Sequence, residues 1–127
     1  MMNWMLVAAG GALGSVARYA LARLWPAVPG EWPVATMSAN LVGSFAIGLA
    51  AVLIAARGAG EEEALRLFFM TGVLGGFTTY SAFALETVSI AHGGSATRAL
   101  AYLIATVVGC ALLAQAGRVA GSFLTEM

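Results

Sequence analysis

Four long apolar segments, separated by short polar or glycine- and proline-containing connections, dominate the hydropathy pattern of the chain. They run approximately over residues 3–25, 33–56, 65–90 and 98–121, and each carries few charged residues. Each is longer than the roughly 20 apolar residues that an α-helix needs to cross the hydrocarbon core of a bilayer. None has the continuous polar face at a 3.6-residue period that a soluble helical bundle requires. The pattern therefore predicts a single all-α membrane domain, residues 1–127, with four transmembrane helices.

Composition supports the membrane interpretation and narrows the function. Of the 127 residues, 61% are apolar and 9% are charged, against about 25% charged residues in soluble domains. The net charge is zero, so nothing indicates a nucleic-acid partner. The single Cys110 excludes an intrachain disulfide and a cysteine-based metal site. No set of side chains suited to nucleophilic or acid–base catalysis can be assembled, so we expect a membrane protein that is not an enzyme.

The middle of the third apolar segment, Gly75–Tyr80 (GGFTTY), does not suit a regular helix. Each of the two adjacent glycines costs about 1 kcal/mol relative to alanine inside a helix, and two β-branched threonines follow. Unwound backbone is tolerated in a membrane only where protein buries it or a water-filled cavity receives it. We therefore predict that the third helix is broken near mid-membrane, where free carbonyls can bind a cation and a new helix N-terminus can face an anion. The alternative is that the glycines simply allow close helix packing.

Polar side chains inside the predicted spans are further candidates, because each is costly in hydrocarbon unless it is satisfied. Asn40, in the second segment, can bind an ion or simply join two helices. Glu86 is the only carboxylate inside a predicted span; it can carry a proton, bind a cation or stay neutral. Arg18 can extend to the membrane surface or pair with such a group. The fourth segment adds a mildly polar stripe, whose hydroxyls can also bond their own helix backbone: Tyr102, Thr106 and Cys110.

The arginines bear on membrane topology. With four spans, each side of the membrane receives three arginines: Arg57, Arg66 and Arg118 on one side, and Arg18, Arg23 and Arg98 on the other. Orientation normally follows an excess of lysine and arginine on the cytoplasmic side, and this chain offers none. Charge is therefore compatible with insertion in both orientations and antiparallel pairing. The alternative is that Arg18 lies too deep to count, so that a weak bias suffices.

Three stretches of the sequence resemble the Fluc/CrcB family of fluoride channels. They are residues 10–19 (GGALGSVARY), residues 34–43 with the central Asn40, and residues 72–83 (GVLGGFTTYSAF). The resemblance covers essentially the whole chain. It implies an antiparallel, dual-topology homodimer in the cell inner membrane through which fluoride leaves the cytoplasm passively. The implied partners are fluoride, a second copy of the chain and the lipid bilayer, with one structural, untransported sodium ion on the two-fold axis.

The resemblance also implies roles for individual residues. The sodium ligands would be backbone carbonyls of Gly75 and Thr78 from both subunits. The fluoride path would be lined by Asn40, Tyr80, Phe83, Thr36, Thr79, Glu86, Tyr102 and Thr106. Two departures from the family pattern affect the number of fluoride positions: Tyr80 replaces the usual phenylalanine, and Cys110 with Ala114 replace later hydroxyls of the fourth helix.

These residue types suit a small, strongly hydrated anion, because a pore must replace its water hydrogen bonds with protein donors. An asparagine amide supplies two N–H donors and each hydroxyl supplies one. Aromatic rings are positive at their edges, and a fixed cation adds positive potential in a low-dielectric interior. Two other functions stay open. The first is a proton-coupled fluoride exporter or another small four-helix transporter, with Glu86 as the proton carrier. The second is an accessory membrane subunit.

Overall fold

The computed structural model is helical, and it describes residues 1–58 and 60–127. In chain order the elements are α1 (Met2–Leu24), α2 (Val34–Ala55), α3 (Ala59–Leu65), a π-helix (Arg66–Leu74), α4 (Gly75–Phe77), α5 (Tyr80–His92) and α6 (Ala96–Thr125). The elements from α3 to α5 form one interrupted membrane span, Gly60–His92, and with α1, α2 and α6 they make four spans long and apolar enough to cross a bilayer. The chain is therefore a multi-pass membrane protein, and the predicted all-α architecture with four spans is confirmed.

The predicted interruption of the third span is present, and it lies at two threonines. Thr78 and Thr79 have extended backbone torsions, with φ and ψ of −81° and 158° for Thr78 and of −153° and 112° for Thr79. Gly75 keeps helical torsions, with φ −63° and ψ −36°. The glycine pair therefore does not itself unwind the helix. The wide turns of the π-helix, which we did not predict, lead directly into this region.

Helix α1 packs closely against the first half of the third span through facing glycines. A Cβ atom on Gly72 would lie 2.9 Å from the Cα of Gly10, and a Cβ atom on Gly76 would lie 2.6 Å from the carbonyl oxygen of Gly11. Lipid provides no hydrophobic drive between helices, so close backbone contact is what holds such a pair together. Gly76 thus serves helix packing, the alternative that the sequence left open for the glycine pair.

Helices α2 and α6 make a second close contact. A Cβ atom on Gly48 would lie 2.9 Å from the carbonyl carbon of Ala114, and a Cβ atom on Gly117 would lie 2.8 Å from the amide nitrogen of Leu49. Helix α5 packs on α6 through a small buried cluster: Phe83, Ile90, Ala99 and Tyr102. The second half of the third span is therefore held beside α2 and α6, and the polar residues of all three helices come together there.

Candidate ion-binding site at the broken helix

Asn40 of α2 stabilises the interruption of the third span. Its Oδ1 accepts a hydrogen bond from the Thr79 amide at 2.8 Å, and its Nδ2 donates to the Thr79 carbonyl at 3.1 Å. The Thr79 hydroxyl in turn caps α5 by accepting from the Ala82 amide at 3.3 Å. One of the two N–H donors of Asn40 is therefore engaged with the protein, and the other is left for a bound species.

Other backbone groups at the interruption also have partners. The Leu74 carbonyl accepts from both the amide (3.0 Å) and the hydroxyl (2.9 Å) of Thr78. The Gly76 carbonyl accepts from Nε of Arg18 at 3.1 Å. Among the described residues, no N–H or O–H donates to the carbonyl oxygen of Phe77, and none donates to those of Gly75 and Thr78. These two oxygens, which the resemblance implies as sodium ligands, are thus unpaired and suited to a hard cation.

A cavity of ≈ 390 Å³ lies beside the interruption, between α2, α5 and α6. Its lining carries no charged side chain: Asn40, Gly43, Ser44, Ile47, Leu74, Gly75, Thr78, Thr79, Tyr80, Phe83, Thr106, Val107 and Cys110. Both predicted sodium ligands and five of the eight predicted path residues are in this list. The lining offers an amide and several hydroxyls on an otherwise apolar surface, which suits a small ion that must both enter and leave.

Thr106 is the most unusual polar group of the cavity. It is 3% exposed, and its hydroxyl makes no hydrogen bond of ordinary distance and angle within the described part of the chain, although the Tyr102 side chain lies near it. The hydroxyls of Thr87 and Ser89, by comparison, donate to the carbonyls of Phe83 and Leu85, four residues earlier. The alternative that Thr106 also bonds its own helix backbone is therefore wrong. A buried hydroxyl without a partner costs free energy and calls for an explanation, such as a bound ion.

The two predicted aromatic residues differ sharply in environment. Phe83 is 5% exposed, whereas Tyr80 is 79% exposed, and both line the cavity. Their ring centroids are 5.8 Å apart, and Phe83 lies 5.3 Å from the ring of Tyr102. Phe83 therefore belongs both to the cavity lining and to the packed core, while Tyr80 has little covering in a single chain.

The remaining predicted path residues form a second group. Glu86 accepts hydrogen bonds from the Thr36 hydroxyl at 2.6 Å and from the Tyr102 hydroxyl at 3.1 Å. Glu86 also lines a cavity of ≈ 410 Å³ under the loop that contains Pro29. The predicted path residues thus lie in two neighbouring sites, with the Phe83 and Tyr102 rings at their junction.

Sequence reasoning missed the partner of Arg18. We considered a pairing with Glu86, but Arg18 donates to the Gly76 carbonyl instead, so that hypothesis is wrong. It also missed Ser44, which lines the first cavity. A backbone carbonyl partner leaves no signature in the sequence. The only available signal was the cost of placing an arginine inside a membrane span, which points to some specific partner.

A broken membrane helix beside an uncharged, donor-lined cavity defines a class: small multi-pass membrane proteins whose helix break offers a candidate site for an ion or a small solute. Within that class the chain belongs to the CrcB family, because residues 5–118 match the model described as "CrcB-like protein, Camphor Resistance (CrcB)". The resemblance inferred from the three sequence stretches is thereby confirmed.

Relatives of the chain carry the name "Fluoride-specific ion channel FluC". The relative from Agrobacterium fabrum is 47% identical over 111 residues, covering 85% of this chain and 86% of the relative. The one from Paracoccus denitrificans is 44% identical over 106 residues, covering 84% and 83%. The one from Opitutus terrae is 41% identical over 129 residues, covering 100% and 98%. These relatives are named as ion channels, in agreement with the prediction that the chain is not an enzyme.

Proposed function

We propose that the protein is a fluoride-selective channel of the bacterial inner membrane, through which fluoride leaves the cytoplasm passively. The observation that carries this proposal is the buried, unpartnered hydroxyl of Thr106 in an uncharged cavity. The free N–H of Asn40 belongs to the same cavity lining, and both groups are donors suited to an anion. The names of the relatives support fluoride as that anion.

The cavity chemistry favours a small anion that exchanges its water shell for donors. Fluoride loses several strong hydrogen bonds when it leaves water, so hydroxyl and amide donors must replace them. The absence of a charged side chain from the described lining keeps the binding weak enough for exit. The edge hydrogens of the Phe83 ring add a weakly positive surface without a fixed charge.

The test is fluoride efflux from liposomes that contain the purified protein and no pH gradient, followed with a fluoride electrode. A channel gives rapid passive fluoride loss, with little chloride loss under the same driving force. Thr106→Val should lower the fluoride flux at least tenfold. Its control is Ser122→Ala, also in α6, whose hydroxyl merely donates to the Arg118 carbonyl at 3.2 Å. Fluoride flux that requires a proton gradient would contradict a channel and support a proton-coupled exporter. No flux would support the interpretation as an accessory subunit.

The carbonyl oxygens of Gly75 and Thr78 are the groups that would hold a structural sodium ion. They fit it because they are hard oxygen ligands without a hydrogen-bond donor, and two copies of the chain would supply four of them. When bound, sodium supplies fixed positive charge close to the anion cavity. Gly75 is exposed, and a Cβ atom there would meet only the Met70 carbonyl oxygen, at an ordinary 3.6 Å. Gly75→Val should therefore abolish flux by crowding the face between two copies.

An antiparallel homodimer completes the proposal. It is supported by the three-to-three arginine balance, and by the exposure of Gly75 and Tyr80, which both line the cavity. Two or three lysines added at the C-terminus should bias insertion toward one orientation. Such a chain should be inactive alone and active when expressed with an oppositely biased copy. Full activity of a chain that cysteine labelling places in one orientation would contradict the antiparallel arrangement.

A further inference from the structure

Arg18 is a charged residue within a membrane span, and its partner is the broken helix. It is half-buried, and its Nε donates to the Gly76 carbonyl oxygen at 3.1 Å. Within the described residues the ion pair that forms is Arg66 with Glu62, so Arg18 has no carboxylate partner. A charged side chain inside a membrane span is costly, so it is expected to have a function. The bond to the Gly76 carbonyl indicates that this function concerns the broken helix.

In the sequence, Gly76 lies between Gly75 and Thr78, the two residues whose carbonyls fit a cation. In an uninterrupted helix it would accept from the amide four residues later, Tyr80, but the extended Thr78 and Thr79 intervene. Without Arg18, the Gly76 oxygen would thus be a further unpaired carbonyl, besides those of Gly75, Phe77 and Thr78. The charge-assisted bond from Arg18 occupies the Gly76 oxygen, so that this oxygen does not compete for the cation, and it fixes the orientation of the Gly76 peptide group.

Close packing of α1 on α4 places the guanidinium at this carbonyl. A Cβ atom on Gly76 would lie 3.2 Å from the Ser15 amide nitrogen, and one on Gly14 would lie 2.8 Å from the Phe77 amide nitrogen. Arg18 follows Gly14 by one helical turn and therefore lies on the same face of α1. The glycine contacts and the Arg18 hydrogen bond thus act together to hold α4 in place against α1.

We propose that Arg18 is a positioning residue for the cation site: it holds the Gly76 peptide so that the Gly75 and Thr78 carbonyls, and not that of Gly76, face the ion. This inference rests on the sodium site proposed above. Arg18 has a second effect of opposite sign, because its positive charge repels a cation at neighbouring carbonyls. Positioning strengthens sodium binding and repulsion weakens it, so an experiment can tell which effect dominates.

The experiment measures the thermal unfolding midpoint of purified protein as sodium replaces N-methylglucamine at constant ionic strength. Arg18→Gln removes the charge, and Arg18→Lys keeps the charge but loses the Nε donor. Positioning predicts that both variants need about tenfold more sodium for half-maximal stabilisation. Arg23→Gln, an exposed arginine of the same helix, is the control for loss of one charge and should behave as wild type.

A second readout is independent of sodium: hydrogen exchange of the amides in residues 75–80, which should be faster in both Arg18 variants. A lower sodium requirement in Arg18→Gln would mean that repulsion dominates, and it would overturn the proposal. Unchanged exchange in both variants would also overturn it. If the wild-type protein does not respond to sodium, the cation site itself fails. Exchange then decides alone whether Arg18 holds the break.

Discussion

Replacing Asn40 by aspartate tests how the broken helix and the ion cavity depend on one side chain. The amide accepts from the Thr79 N–H at 2.8 Å and donates to the Thr79 carbonyl at 3.1 Å. A carboxylate keeps the first bond, but it places an oxygen against the carbonyl oxygen in the second. The unpaired carbonyl alone costs about 1–3 kcal/mol. The new charge repels an anion about 4 Å away by about 4 kcal/mol at an effective dielectric constant of 20.

A tenfold change in rate corresponds to roughly 1.4 kcal/mol. The cost of the unpaired carbonyl is of this size, and the charge repulsion exceeds it. We therefore expect Asn40→Asp to lower fluoride efflux from liposomes by more than tenfold at neutral pH. Two further variants separate the causes. Asn40→Ala breaks the contact with Thr79 without adding charge. Ser44→Asp adds a carboxylate to the same cavity lining and leaves the Asn40 side chain in place, since Ser44 is not a partner in either bond between Asn40 and Thr79.

Lowering the pH should partly restore flux through Asn40→Asp, because protonation removes the charge and returns an O–H donor for the Thr79 carbonyl. Protein-free liposomes at each pH give the background leak. Near-normal flux through both Asn40→Asp and Asn40→Ala, in protein that elutes as wild type on size exclusion, would reduce Asn40 to a contact between helices. The reasoning from the break would then be refuted.

Three further predictions concern packing and the aromatic groups. Phe83→Ile keeps a branched apolar side chain but loses the ring edge, so flux should nearly vanish while the elution volume on size exclusion stays unchanged; near-normal flux would leave Phe83 a packing residue. Gly48→Ala should destabilise the fold by about 1–3 kcal/mol through overpacking against α6, whereas Gly11→Ala, whose Cβ meets nothing within 4 Å, should not lower the unfolding midpoint. Tyr102→Phe removes the 3.1 Å bond to Glu86 and should cost about 1 kcal/mol in denaturant titrations; no loss would mean that the bond contributes no net stability.

The membrane architecture was predictable because hydrocarbon leaves few choices. A chain that must satisfy its backbone without water forms long apolar helices, and the number of spans follows from their lengths. The interruption was predictable for a similar reason, since a run such as GGFTTY is costly in a helix. Its exact position was not, because it depends on a residue from another helix. The Thr79 amide bonds to Asn40 instead of to the Gly75 carbonyl, and that competition is decided by tertiary contact.

The site was predictable only in part for the same physical reason. Residue types identify donors, but they do not say which donors the fold has already used. Thr87 and Thr106 look alike in the sequence, yet one hydroxyl bonds to its own helix and the other has no partner. Arg18 similarly carries no mark of its carbonyl partner. The division of the predicted path into one group around Asn40 and another around Glu86 also follows from packing rather than from spacing.

The broken span finally bears on the homodimer proposed above. In hydrocarbon every unpaired backbone group is costly, and here side chains of two other helices, Arg18 and Asn40, satisfy carbonyls at the interruption. The carbonyls of Gly75, Phe77 and Thr78 accept no such bond, and the neighbouring Tyr80 is 79% exposed. Lipid cannot donate to those oxygens or hydrogen-bond the tyrosine hydroxyl. We therefore expect this part of the chain to be covered in the membrane. In the dimer proposed above, a second copy would bring both the missing cover and a matching pair of carbonyls for one cation.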